Sequence, residues 1–207
     1  MWFYRAFILI FLLTSLDSCD RVRENKSDAR IQAVLEFRNK FWETGDTIYL
    51  QQGIIILDSL LNADLEQQDL TYCENLKEQM LLDNNHLRDA MTLRGQSIDS
   101  VKHPEDYYEF MAILSYCNND FAGMHKYSRM ADIEFEKLFR NSTGDVKVDF
   151  LQRQIDTNIL CCNYHVAESL YNQFRPPVIK DYYKSFDDYY QQARSNLEDL
   201  KRQYNKK

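Results

Sequence analysis

The stretch that decides the fold runs from Pro104 to Leu138, PEDYYEFMAILSYCNNDFAGMHKYSRMADIEFEKL. Tyr108, Met111, Ala112 and Ser115 recur at three- and four-residue spacing, which places them on one face of a helix. Pro104 suits the first turn of that helix, where its missing N–H costs nothing. Asn118-Asn119-Asp120 then breaks the chain with side chains that cap a following helix. Phe121, Met124, Ser128, Ala131, Phe135 and Leu138 line that second helix. The segment predicts two helices joined by a short polar turn.

The same periodicity extends in both directions. Ile31, Val34, Leu35, Phe41 and Trp42 predict a first helix, interrupted by Thr44-Gly45-Asp46, and Leu50, Gly53, Leu57, Leu60 and Leu61 a second. Cys73, Leu76, Met80 and Leu81 mark a third; Leu87, Ala90, Met91 and Ile98 mark a fourth. Beyond the loop Asn141–Asp145, Val148, Leu151, Ile155, Ile159, Cys162, Val166 and Leu170 predict one long seventh helix. Pro176-Pro177 separates it from an eighth, marked by Phe186, Tyr190, Ala193, Leu197, Leu200 and Tyr204. Composition agrees. The 207 residues include only 5 Gly and 3 Pro, against ~12% in average usage, too few for a β-sandwich with its frequent turns. With 44% apolar residues and 14 Tyr, 12 Phe and 2 Trp, the chain can build a core and is not intrinsically disordered. The expected fold class is all-α.

The helical pairs repeat. Gly45-Asp46, Asn84-Asn85 and Asn119-Asp120 each precede a bulky residue and a slimmer one three positions later: Leu50/Gly53, Leu87/Ala90 and Phe121/Met124. The second members lie 37 and 34 positions apart, a spacing that points to stacked helical hairpins. On these residues the chain resembles the tetratricopeptide (TPR) family. In the third unit Tyr108, Met111, Ala112, Ser115, Phe121, Met124, Ser128 and Ala131 occupy the eight consensus positions, with Met124 in place of the usual Ala and no closing Pro. The second unit departs at Glu78 and Arg94, where the family has apolar or small residues. Covering residues 29–140, the resemblance implies a TPR-like α-solenoid of stacked antiparallel helical hairpins, with two long C-terminal helices in 141–207 capping it. A generic antiparallel bundle is the alternative. The resemblance further implies a protein or peptide partner against the first helix of each hairpin, which by register falls on Tyr72, Asn75, Gln79, Glu109, Ile113 and Tyr116.

The N-terminus reads as an export signal. Arg5 precedes the apolar run Ala6–Leu13, followed by Thr14-Ser15-Leu16-Asp17-Ser18-Cys19. The run is too short to span a ~30 Å hydrocarbon core. Leu16, Ser18 and Cys19 resemble the lipobox of bacterial lipoproteins, from which Asp17 departs. That resemblance implies removal of residues 1–18, palmitate-type acyl chains on Cys19, and a lipid-anchored protein of the cell envelope facing the periplasm or exterior. Residues 19–28 would form the lipidated Cys and a polar tether. Cleavage without lipid and an uncleaved anchor are the alternatives.

Little in the sequence points to catalysis. The charge of −7, without a basic stripe, argues against nucleic acid. No Cys-x-x-Cys, nucleotide-binding glycine loop, G-x-S-x-G or H-E-x-x-H occurs. His86, His103, His125 and His165 are scattered, and Cys162-x-x-His165 stands alone. No catalytic residue, metal ligand or cofactor is therefore expected, and Cys73, Cys117 and Cys162 are read as small core residues. One tyrosine of each pair, Tyr107-Tyr108, Tyr182-Tyr183 and Tyr189-Tyr190, should be partly exposed. The expected function is a membrane-anchored protein-binding scaffold rather than an enzyme. The alternatives are a bundle that self-associates through its C-terminal helices, and an envelope small-molecule binder or enzyme.

Overall fold

The structure is a computed structural model that describes residues 28–63, 65–174 and 182–206. The leader, Cys19, the tether up to residue 27 and Pro176-Pro177 lie outside the described residues. Among the described residues the chain is all-α, with nine helices and no strand. They are α1 (Asp28–Thr44), α2 (Ile48–Leu61), α3 (Gln67–Asp83), α4 (Leu87–Ser97), α5 (Pro104–Cys117), α6 (Phe121–Asn141), α7 (Gly144–Leu160), α8 (Tyr164–Phe174) and α9 (Phe186–Tyr204). None is long and apolar enough to cross a membrane. The chain divides into two compact units, Met1–Arg94 and Gly95–Lys207, so the division falls inside α4. The expected boundary at residues 140 and 141 lies within the second unit, where α6 packs along α7.

One turn recurs and explains the punctuation. Asn85, Asn119 and Cys162 each adopt left-handed backbone, with φ of 59°, 60° and 62°. At each, the following amide reaches back to close the ending helix: His86 to the Leu81 carbonyl at 2.8 Å, Asp120 to Ser115 at 2.9 Å, and Asn163 to Asn158 at 2.8 Å. This is the Schellman closure, which satisfies carbonyls that a helix end leaves without partners. The left-handed conformation is cheap for Asn and costs other side chains about 1–2 kcal/mol. Gly45, with φ 74°, turns the chain between α1 and α2.

The third of these turns corrects the sequence reading. The expected seventh helix is two, α7 and α8, joined at Cys161–Asn163. The apolar spacing runs on through the break because Val166 and Leu170 keep the register, and Cys162 gives no turn signal. Among the described residues the C-terminal region therefore carries three helices, α7, α8 and α9, rather than two long ones. Cys162, expected in the core, is exposed, and its neighbour Cys161 is buried instead. Cys73, Cys117, Cys161 and Cys162 are all free thiols.

In the first unit Val34, Leu50, Leu57, Cys73 and Met80 form the heart of a core built by α1, α2 and α3. Gly53 lets α2 cross close to its neighbours: a Cβ there would stand 2.3 Å from the Met80 methyl and 3.6 Å from Val34. In the second unit Ala112, Ser128 and Ala131 are fully covered, and their small side chains allow the close approach of α5 and α6. Asp120 caps α6 by accepting the Gly123 amide at 2.9 Å. The close approach is not repeated between α3 and α4, where Glu78 and Arg94 stand at the crossing. The last helix, α9, seats Phe186, Tyr189 and Ala193 in one core with Leu151, Ile155 and Ile159 of α7. Further along, its Leu197 packs with Ala112, Tyr116, Leu160 and Cys161. Ser185 caps this helix through the Asp188 amide, while Asp187 and Asp188 in its first turn and Lys201 and Arg202 in its last complement the dipole.

Candidate functional site

Each unit offers one feature beyond plain packing. In the first it is a groove of about 390 Å³ bordered by α2, α3 and α4. Ile54, Ile55, Leu81 and Leu93 supply apolar lining, and the ion pair of Asp58 with Lys77, at 2.6 Å, lies at its edge. Ile55, in the middle of α2, is 66% exposed. The groove opens where α4 stands off α3. At that crossing Glu78 and Arg94 face each other at 3.5 Å, where the α5–α6 crossing has the small Ala112 and Ser128. The two departures from the repeat pattern are thus one compensating pair. Burial pushes the Glu78 carboxyl up, opposed by the Arg94 guanidinium beside it.

In the second unit the feature is a group of carboxyls around one arginine. Arg153 of α7 donates through Nε to Glu109 at 3.1 Å and through Nη2 to both Glu109 and Asp106 of α5. Its guanidinium also lies 4.6 Å from the Phe135 ring centre. Burial works against the charge of Arg153, but Glu109 and Asp106 outweigh it and hold the guanidinium firmly protonated. Burial raises Glu109 despite Arg153, with Asp106 and Asp149 adding to the rise. Asp156 lies one turn beyond Arg153 and accepts hydrogen bonds from the Tyr189 hydroxyl of α9 and the Gln152 amide. Burial, followed by the charges of Glu109 and Asp149, pushes Asp156 up to about 7, while the two hydrogen bonds pull the other way.

The six residues expected to contact a partner fall into two trios, one in each unit. Tyr72 packs against the first core, and Asn75 and Gln79 are half-buried on α3. Glu109 is buried and bound by Arg153. Tyr116 is buried, donates to Glu198 of α9 at 2.5 Å, and has the Lys201 ammonium 4.7 Å from its ring centre. Ile113 packs at the edge of the same core. The face of α5 that carries Glu109, Ile113 and Tyr116 is therefore covered by the chain's own α7 and α9. Two further contacts seal it: Asn205 donates to the Cys117 carbonyl at 3.0 Å, and Arg194 reaches the Leu160 carbonyl at 3.3 Å. In that setting burial pushes the Cys117 thiol up to about 12, leaving it protonated and unreactive.

Asp106, Asp149, Arg153 and Asp156 escaped the sequence reading. Asp149, Arg153 and Asp156 follow one another at four and three residues on a single stripe of α7, but only the adjacency of α5 and α9 half-buries that stripe. Among the described residues, His103, Glu105 and Asp106 bring three ligand-type atoms within 4.8 Å of one another. Asp106 in that group is already engaged by Arg153, and His103 is exposed. Cys162 and His165 are both exposed and form no such group. Tyr182 is exposed and Tyr183 partly buried, Tyr189 is buried beside a half-buried Tyr190, and Tyr107 and Tyr108 are both half-buried. Compared with protein-family models, with curated proteins and with solved structures, the chain has no match.

Proposed function

We propose that this chain is an exported, lipid-anchored helical-repeat protein that holds a protein or peptide partner at the cell-envelope membrane. The observation that carries the reading is the groove of the first unit. Its apolar lining, with Ile55 largely exposed beside the Asp58–Lys77 pair, offers apolar contact in a concave setting. Support also comes from the recurrence of one helix-ending turn at Asn85, Asn119 and Cys162, which suits an array of TPR-like hairpins. The anchor rests on Arg5, the apolar run 6–13 and Leu16-Asp17-Ser18-Cys19. Two or more acyl chains on Cys19 would hold the protein stably, each buried CH₂ contributing ~0.8 kcal/mol. The partner surface differs from the one the repeat register implies for the second unit. There α9 fills the face, so the groove bordered by α2, α3 and α4 becomes the seat. Self-association through α9 has less to draw on, because Phe186, Tyr189, Ala193 and Leu197 are buried within their own unit.

Mass spectrometry of the mature N-terminus tests the anchor. A diacylated or triacylated Cys19 is expected, and an unmodified N-terminus at any other residue contradicts it. Affinity purification from detergent-solubilised envelopes tests the groove. A protein recovered with the wild type and lost with Ile55→Asp supports the reading; identical recovery with both rejects the groove as the contact surface.

A further inference from the structure

We propose that the seating of α9 on α5 and α7 is controlled by a proton on Asp156: the helix is held while that carboxyl is neutral and loosens when it ionises. The inference does not depend on the scaffold reading. It starts from the junction itself, where the Tyr189 hydroxyl of α9 donates to Asp156 of α7 and the Gln152 amide contacts both.

The surroundings of Asp156 disfavour a charge. From α5 comes the carboxyl of Glu109, with Asp106 beyond it; from α7 itself comes Asp149. The arginine of the cluster, Arg153, is engaged by Asp106 and Glu109. From the C-terminal side, among the described residues, come phenols: Tyr189, and Tyr183 just ahead of α9. Two of the four carboxyls thus hold the guanidinium, and α9 closes over one whose hydrogen-bond partners are a phenol and an amide. A neutral carboxyl under α9 costs little, whereas an ionised one must be desolvated without a cation of its own.

The direction of the pH effect follows. Once α9 lifts, Asp156 meets water and returns to the ordinary aspartate value of about 3.9. The seated form therefore binds more protons than the open form, and seating weakens as pH rises toward and through about 7. Deeper in the seat Ala193 and Leu197 carry no charge, and the charged groups of α9 there lie on other partners: Arg194 on the Leu160 carbonyl, Glu198 on the Tyr116 hydroxyl and Lys201 over the Tyr116 ring. The sensitivity is thereby concentrated at the first turns of α9, around Tyr189.

Hydrogen exchange on the full mature chain, at pH 5.5 and 8.5 and corrected for the chemical exchange rate, tests this. Peptides from 186–204 should lose about tenfold or more of their protection at the higher pH, while peptides from α1 and α2 should not. In Asp156→Asn, a variant of nearly the same shape, α9 should keep equal protection at both values. Two results overturn the proposal: equal protection of wild-type α9 at the two pH values, or the same loss of protection in Asp156→Asn. The wild-type comparison decides even if the variant fails to fold.

Discussion

The two units bury charge in opposite ways. In the first, one arginine meets one glutamate at a helix crossing: Arg94 and Glu78, at 3.5 Å. In the second, one arginine meets Asp106 and Glu109 directly, with Asp149 and Asp156 close enough to feel the surplus negative charge. Pairing balances the first site. Burial raises Glu109, Asp149 and Asp156, as it raises Glu78, but only in the second site do neighbouring carboxylates add to the rise. The structural consequences diverge as well. Glu78 and Arg94 keep α4 off α3 beside an open groove, whereas the acidic cluster lies beneath a helix that seals its unit. A charged side chain between helices can thus accompany an open surface or a covered one.

The comparison can be broken most severely at its arginines. Replacing Arg153, whose side chain is 15% exposed, with Met leaves two carboxyls unpaired and should cost about 3–5 kcal/mol of stability. Arg94→Met strands a single carboxyl at a site where Arg94 is 19% exposed, and should cost less, about 1–3 kcal/mol. Chemical denaturation of both variants at one pH checks the order; an equal cost would mean that the number of stranded carboxyls does not matter.

The pH profile sharpens the contrast. Asp156 is raised from about 3.8 to about 7, so its contribution to stability is whole below pH ~4 and lost as pH rises through ~7. Each tenfold change in proton affinity is worth ~1.4 kcal/mol, so the loss is at most about 4 kcal/mol. Thermal unfolding of Asp156→Asn should match the wild type near pH 4 and exceed it at pH 8.5. A constant difference across that range would remove the titration of Asp156 from the account.

A smaller effect is expected at the turn that the two arginine sites do not share. Cys162 holds a left-handed conformation that Asn85 and Asn119 take at little cost. Cys162→Gly should therefore stabilise the second unit by about 1 kcal/mol, the reverse of a core cysteine's behaviour. The smallest change belongs to Ile55→Asp. Its exposed side chain should alter stability by no more than about 0.5 kcal/mol while abolishing partner recovery.

These positions also mark how far the sequence could be read. Helix register was legible wherever apolar residues kept their spacing, as from Tyr108 to Phe135, and turns were legible where Gly or Asn occupied them. Cys162 hid a turn because its left-handed backbone is imposed by the closure around it and not by any preference of cysteine. Glu78 and Arg94 looked like two separate defects of the repeat; only their contact across α3 and α4 reveals one pair. The acidic cluster was less legible still, because nothing in the spacing of Asp149, Arg153 and Asp156 shows that α5 and α9 pack against their stripe. Glu109 and Tyr116 were singled out for their face of α5, but a register cannot reveal that the chain's own last helix fills that face.

The central claim is that the first unit presents its surface to a partner while the second is closed on itself. A photo-crosslinking side chain at position 55 on α2 or at position 116 on α5, irradiated in intact envelopes, tests it most directly. An adduct with another protein is expected from position 55, and only internal cross-links from position 116, where Tyr116 is buried against α9. An external adduct from position 116 with none from position 55 would contradict it.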